Sequence, residues 1–155
     1  MTALDIYSNP NSLPGSEAGR IGMLLGLKAK KPIDDIGLAE HVSKGLRVAS
    51  AETLAGLIGR VNIVGPLIPE ATLRRAKKNR KALSREMSER LYEVGRVVDV
   101  VSRVYHGDQA AIARFLEKPH KLLGGRTPLS MAQSSSAGAE AVINLLRRAD
   151  AGFAV

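Results

Sequence analysis

A chain of 155 residues with 45% hydrophobic content has room for one compact domain or two small ones sharing a core, which excludes disorder along its whole length. It contains no cysteine, so disulfides, thiolate zinc sites and a cysteine nucleophile are excluded. The formal charge of +8 and isoelectric point near 10.1 point to an acidic partner, while 3% aromatic content argues against base-stacking platforms for single strands.

The N-terminus lacks the basic start and apolar core of a signal peptide, and no later stretch approaches the ~20 continuous apolar residues that span a bilayer. The expectation is a soluble, cytoplasmic protein. Residues 1–32 read as a flexible arm, rich in Asn, Ser, Pro and Gly at its start and holding one short apolar helix at IGMLLGLKAKK.

From Pro32 the pattern becomes helical. IDDIGLAEHVSKG is acidic at its front and closed by Gly45, which gives a capped helix of about three turns. Asp34 and Asp35 are adjacent carboxylates, but a place in a first helical turn explains them without catalysis. Ser50 is placed to cap SAETLAGLIGR, in which Leu54, Leu57 and Ile58 recur at helical spacing and Gly59 marks the end. A short VNIVGPL leads to PEATLRRAKKN, where Pro69 suits a helix start and Leu73 faces inward among basic residues. Residues 33–83 therefore read as helix-turn-helix with a basic second helix.

The charge excess is concentrated there. RRAKKNRKALSR, from Arg74 to Arg85, carries Arg74, Arg75, Lys77, Lys78, Arg80, Lys81 and Arg85 with no acidic residue, whereas a plain solvated helix usually alternates signs. A basic second helix after a turn can set side chains against phosphates and base edges in a major groove, and the competing reading is a merely solvated face.

Residues 84–107, SREMSERLYEVGRVVDVVSRVYHG, form the longest periodic stretch. Met87, Leu91, Val94, Val98, Val101 and Tyr105 make one stripe along a helix of roughly six turns, the spine of the fold. The stripe reads first as core and secondly as a dimer interface. Asp108 caps QAAIARFLEK, which Pro119 stops.

LLGGRTPLSMA then raises two readings. Gly124, Gly125, Arg126 and Thr127 could cradle a phosphate, but the spacing and the preceding strand of a phosphate-binding loop are missing. Thr127 followed by Pro128 instead suits a helix N-cap and first position, with the two glycines supplying the turn. A final helix, SAGAEAVINLLRRADAG, places Ala139, Val142, Ile143 and Leu146 on one face and Arg147 and Arg148 in its last turns, favourably for the helix dipole. Behind it, GFAV is either a frayed terminus or a plug for a partner. His41, His106 and His120 lie on separate elements, and Ser134, Ser135 and Ser136 precede a helix as caps do. Neither set makes a metal site or a nucleophile, no cofactor is called for, and nothing in the pattern makes an enzyme.

The last third, AAIARFLEKPHKLLGGRTPLSMAQSSSAGAEAVINLLRRADAG, resembles the C-terminal toxin-binding domain of the Xre, MbcA and ParS antitoxins of RES-Xre toxin–antitoxin modules. The matching features are FL-x-x-P, LGGRTPL, GAEAV and a closing helix with arginine before glycine. KGLRVASAETLAGLIG, IPEATLRR and ALSREMSERL resemble the Xre-type helix-turn-helix region. Phe115 stands where tryptophan is common, and VNIVGPL departs from the usual reader turn.

The resemblance implies an all-α fold: an Xre-like helix-turn-helix region joined by a long helix to a small toxin-binding domain at 108–155. It implies a dimeric antitoxin that occludes a RES-domain, NAD-consuming toxin without a cofactor and represses its own operon. Its toxin-binding residues would be Arg147, Arg148, Gly152, Phe153, Ala154 and Val155. Its operator contacts would be Thr72, Arg74, Arg75, Lys77, Lys78, Arg80 and Lys81. The rival reading is a stand-alone helix-turn-helix transcription regulator with no toxin.

Overall fold

A computed structural model describes residues 3–150. The fold is all-α: the described residues hold eight α-helices, three 3₁₀ turns and one isolated β-bridge, between Val64 and Ile68. The helices are α1 (Glu17–Leu24), α2 (Asp35–Lys44), α3 (Val48–Ile58), α4 (Glu70–Asn79), α5 (Arg85–Val104), α6 (Gln109–Glu117), α7 (Pro128–Ser134) and α8 (Ser136–Asp150). None of the described helices is long and apolar enough to cross a membrane.

Short-range chemistry sets most of the boundaries. Ser16, Asp34, Ser84, Asp108 and Thr127 each accept a hydrogen bond from the backbone N–H three residues on, satisfying one of the donors that a helix start leaves free. Gly45 and Gly59 close α2 and α3, as their sequence positions predict.

The start of α3 differs from the expected cap at Ser50. The helix begins three residues earlier, behind Arg47, which makes no side-chain cap, and Ser50 is buried. Tertiary pairing decides the boundary. Leu46 N–H donates to Ser88 Oγ on α5 at 2.7 Å, and Leu83 N–H donates to the Leu46 carbonyl at 2.8 Å, so the chain is already docked at Leu46.

Helix α5 is the axis of the molecule: α1, α2, α3, α6, α7 and α8 all pack on it. Its stripe of Leu91, Val94, Val97, Val98 and Val101 has no exposed surface, so it is core and is unavailable as a dimer interface. Valines on a helix lose rotamer freedom, but burial from nearly every side outweighs that small propensity cost.

The expected flexible arm is folded. A 3₁₀ turn at Ala3–Ser8 buries Leu4 and Tyr7, and α1 buries Ile21, Leu24 and Arg20. What composition did not show is an anchor. Arg20 Nε donates to Asp99 Oδ1 on α5 at 2.8 Å, and its Nη2 donates to Oδ2 at 3.3 Å. Tyr7 Oη donates to the same Oδ1 at 2.7 Å. The remaining guanidinium nitrogen donates to the carbonyls of Pro14 and Gly15, so the buried charge is paired and hydrogen-bonded on both sides.

Asp99→Ala strands Arg20 in the core and is expected to cost about 3–5 kcal/mol, a large share of the roughly 5–15 kcal/mol typical of a domain. Urea unfolding measures it, and a loss below about 1 kcal/mol would show that the anchor is dispensable. Burial, followed by the charge and hydrogen bond of Asp99, pushes the Tyr7 pKa up. A raised value favours the neutral phenol, so this contribution is whole below the ordinary value of 10.0 and is lost as pH rises above it. Tyr7→Phe should therefore lower stability near neutrality yet flatten its decline at alkaline pH, as thermal melts across that range would show.

Candidate functional site

Two exposed features could carry function: the C-terminal unit built around LLGGRTPLSMA, and the basic helix α4. The turn is closed by its own backbone. His120 N–H donates to the Arg126 carbonyl at 2.9 Å, and the N–H groups of Leu123, Gly124, Gly125 and Arg126 all go to carbonyls within the loop. A phosphate cradle needs such donors free and convergent, and here they are consumed.

Gly124 and Gly125 have φ of 66° and 80°, the left-handed conformation that glycine adopts without strain. The chain then enters α7 with Thr127 Oγ1 accepting from Ser130 N–H at 3.0 Å and Pro128 in the first turn. Leu123, Pro128 and Leu129 are buried, while Leu122 and Arg126 remain outside.

Helices α7 and α8 form a tight pair joined at Ser135, whose hydroxyl accepts from Gly138 N–H at 2.9 Å. Gly138 is required by close approach: a Cβ there would run into the carbonyl of Met131. Ala139, Val142, Ile143, Leu145 and Leu146 of α8 are buried against α5 and α7. The opposite side presents Asn144, Arg147 and Arg148 to solvent.

Glu140 ties this helix to the spine. It accepts from Arg96 Nη2 at 2.8 Å and lies 3.9 Å from Arg147. Arg96 also pairs with Glu93 at 3.1 Å and with Glu17 of α1 at 3.8 Å, so one half-buried guanidinium joins α1, α5 and α8. Burial alone would lower the Arg96 pKa, but its hydrogen bonds to Glu140 and Glu93 outweigh that and hold it above its ordinary value. Periodicity did not single out Arg96, because two of its three partners, Glu17 and Glu140, come from distant segments.

On α4, residues 71, 74, 75 and 78 share the face opposite buried Leu73, so Arg74, Arg75 and Lys78 point outward together. Lys77 turns toward α3 and pairs with Glu52 at 3.1 Å. Thr72 is half-buried at the edge, and Lys81 follows the helix in the open. Arg80 ends the helix at φ 54°, with its carbonyl accepting from Arg47 Nη2 at 2.9 Å. The expected DNA residues are thus one patch, with Lys77 and Thr72 at its margin.

The α3–α4 connection is longer than the three or four residues of a simple helix-turn-helix. It holds a 3₁₀ turn at Arg60–Asn62 and buries Ile63, Leu67 and Ile68. VNIVGPL is therefore a hydrophobic plug. Two amides then join this region to the C-terminal unit: Gln133 Nε2 donates to the Asn62 carbonyl at 2.9 Å, and Gln109 Nε2 to the Leu57 carbonyl at 3.2 Å.

His41 is exposed on α2, His106 follows α5, and His120 Nδ1 accepts from Leu122 N–H, so the three histidines do not meet. Gly152, Phe153, Ala154 and Val155 lie outside the described residues.

A family model for the antitoxin Xre/MbcA/ParS C-terminal toxin-binding domain matches residues 95–152. Over those residues the chain is similar to the toxin-binding domain of the Xre/MbcA/ParS antitoxins. The matched stretch starts within α5, the helix on which α7 and α8 are packed. No curated protein matches the chain.

Gly138→Ala should force α7 and α8 apart and cost about 1–3 kcal/mol. Thr127→Ala should cost about 1 kcal/mol through its cap. Denaturant midpoints measure both, and a Gly138→Ala protein as stable as the parent would disprove the close contact.

Proposed function

We propose that this chain is the antitoxin of a type II toxin–antitoxin pair, which binds a RES-domain, NAD-consuming toxin, blocks it sterically, and represses its own operon through α4. The toxin-binding reading is carried by the family match at residues 95–152, together with a unit in which Thr127 caps α7, Gly138 lets α8 close on α7 and Glu140 ties α8 to Arg96 of α5. A rigid helix pair presents its outward face without the entropy cost that a loose one would meet on binding.

In this reading the toxin contacts start from Arg147 and Arg148, exposed in the last turns of α8, and continue into Gly152, Phe153, Ala154 and Val155. Arginines at this position can pair with carboxylates bidentately, and an apolar tail can fill a cleft. The chain itself supplies no chemistry in this reading. Inhibition is occlusion in the cytoplasm, with the antitoxin acting as a dimer within a larger complex.

DNA contact would be made by Arg74, Arg75 and Lys78, with Lys77, Arg80, Lys81 and Thr72 at the edges. The supporting observation is that Arg74, Arg75 and Lys78 share one face and none makes an ion pair among the described residues. The acidic partner implied by a charge of +8 would then be the DNA backbone.

The toxin half is tested by affinity isolation from the native host. A stoichiometric companion should consume NAD only after it is separated from this chain, and a companion with no such activity would refute the RES assignment. Isolation of DNA alone would favour the stand-alone regulator. Arg147→Glu with Arg148→Glu should weaken the complex by roughly 30-fold or more, as expected for hot-spot residues. Arg74→Ala with Arg75→Ala should lower affinity for operator DNA and reduce the slope of log K against log salt by about 1.8, from two phosphate contacts at ~0.9 each.

A further inference from the structure

The loop between α1 and α2, residues 25–34, carries Lys28, Lys30 and Lys31, all exposed, with no acidic residue between Arg20 and Asp34. None of the three lysines makes an ion pair among the described residues. The loop is held against α3, because Gly26, at φ 65°, lies so close to Thr53 that an added Cβ would meet the Thr53 hydroxyl at 2.7 Å. Helix α4 packs on the other flank of α3, the groove between them lined on the α3 side by Val48, Ala51, Glu52 and Ala55, with Gly56 at its outer edge. Val48 and Thr53 are five residues apart, roughly 140° around a helix with 3.6 residues per turn. The lysine loop and the basic helix therefore stand on opposite flanks of α3.

Between them lies the exposed stripe of α3: Ala49, Glu52 and Gly56. Glu52 is neutralised by Lys77. Gly56 is the informative residue. It is exposed within a helix, an added Cβ there would meet nothing within 4 Å, and glycine in a helix interior costs about 1 kcal/mol relative to alanine. Packing among the described residues gives no reason for it, whereas close approach of another backbone does.

We propose that a phosphate strand of duplex DNA crosses α3 over Ala49 and Gly56, held by Lys28, Lys30 and Lys31 on one flank while Arg74, Arg75 and Lys78 engage the adjoining groove on the other. This rests on the reading of α4 as a DNA-binding helix and extends the contact to an element that reading does not use. The scale fits: an α-helix with its side chains is about 10–12 Å across, and the major groove is about 12 Å wide. In a helix-turn-helix the first helix crosses the backbone, which is the role assigned here to α3.

The test uses the full chain and a duplex spanning the region upstream of its own gene, with affinity measured across a salt series. Lys28→Ser, Lys30→Ser and Lys31→Ser combined should weaken binding at least tenfold near 0.1 M salt and reduce the salt slope by about 2.7, from three contacts at ~0.9 each. Replacing the three lysines with arginine should keep the parent's slope. Gly56→Gln should match or exceed the parent's melting temperature while binding the duplex at least tenfold more weakly. Parent-like binding by either the triple-serine or the Gly56→Gln protein, alongside weakened binding by Arg74→Ala with Arg75→Ala, overturns this proposal and leaves α4 as the DNA element. Failure of the parent itself to bind the duplex at low salt overturns both.

Discussion

The carboxylate of Asp99 is the constraint from which the rest of the structure is organised. It lies in the C-terminal half of α5 beside valines with no exposed surface, where an unpaired charge would cost a large share of the stability of a domain. Arg20 and Tyr7 satisfy it, and they come from a segment whose composition alone would leave it loose. Meeting that one requirement draws the N-terminal 3₁₀ turn and α1 onto α5. Replacing such a cluster with apolar residues is often neutral for stability in other proteins, so its contribution here is better seen as fixing position. An apolar α1 could slide along a valine stripe, but a two-pronged guanidinium on a single carboxylate cannot.

Arg96 performs the same service one turn earlier, in a wetter setting. Its three carboxylate partners lie on α1, α5 and α8, so the helix that ends the toxin-binding domain is registered against the spine and against the N-terminal segment together. Exposed pairs such as Arg90 with Glu86 contribute little, typically under about 1 kcal/mol. Arg96 differs because its side chain is only 17% exposed and its partners come from three elements, which makes its geometry specific.

Local signals were legible in the sequence and non-local ones were not. Asp108, Thr127 with Pro128, Gly45 and Gly59 mark helix ends because the bonds they make span only a few residues. The 3.6-residue stripe of α5 was readable for the same reason. Ser50 misled because Leu46 is anchored to Ser88, 42 residues away, and that contact moves the start of α3. The arm misled because Tyr7 and Arg20 find their partner 92 and 79 residues further on. One hint was present: Asp99 stands alone among valines in VVDVVS, and an acid in so apolar a run of the central helix demands a cation from elsewhere once that run is buried. Within the candidate site, Arg147, Arg148 and the α4 cations were visible as charges, whereas the sharing of Arg96 and Glu140 appears only once α5 and α8 meet.

Helix α4 is the element least explained by the needs of folding. Only Leu73 is buried, and the spacing of Arg74 to Lys78 sets like charges four apart, unfavourable by a few tenths of a kcal/mol in a helix. One ion pair, Lys77 with Glu52, offsets part of this. Elsewhere in the chain cap, pattern and burial agree, so a helix in which charge opposes stability is a local conflict of the kind that collects at functional sites. The same reasoning applies to Gly56, a helix-weakening residue whose added Cβ would meet nothing within 4 Å among the described residues. Two such conflicts on neighbouring helices, both facing solvent, are more economically assigned to one external surface than to separate accidents. A polyanion satisfies both, because it neutralises the cations of α4 and needs an uncluttered helix over which to pass.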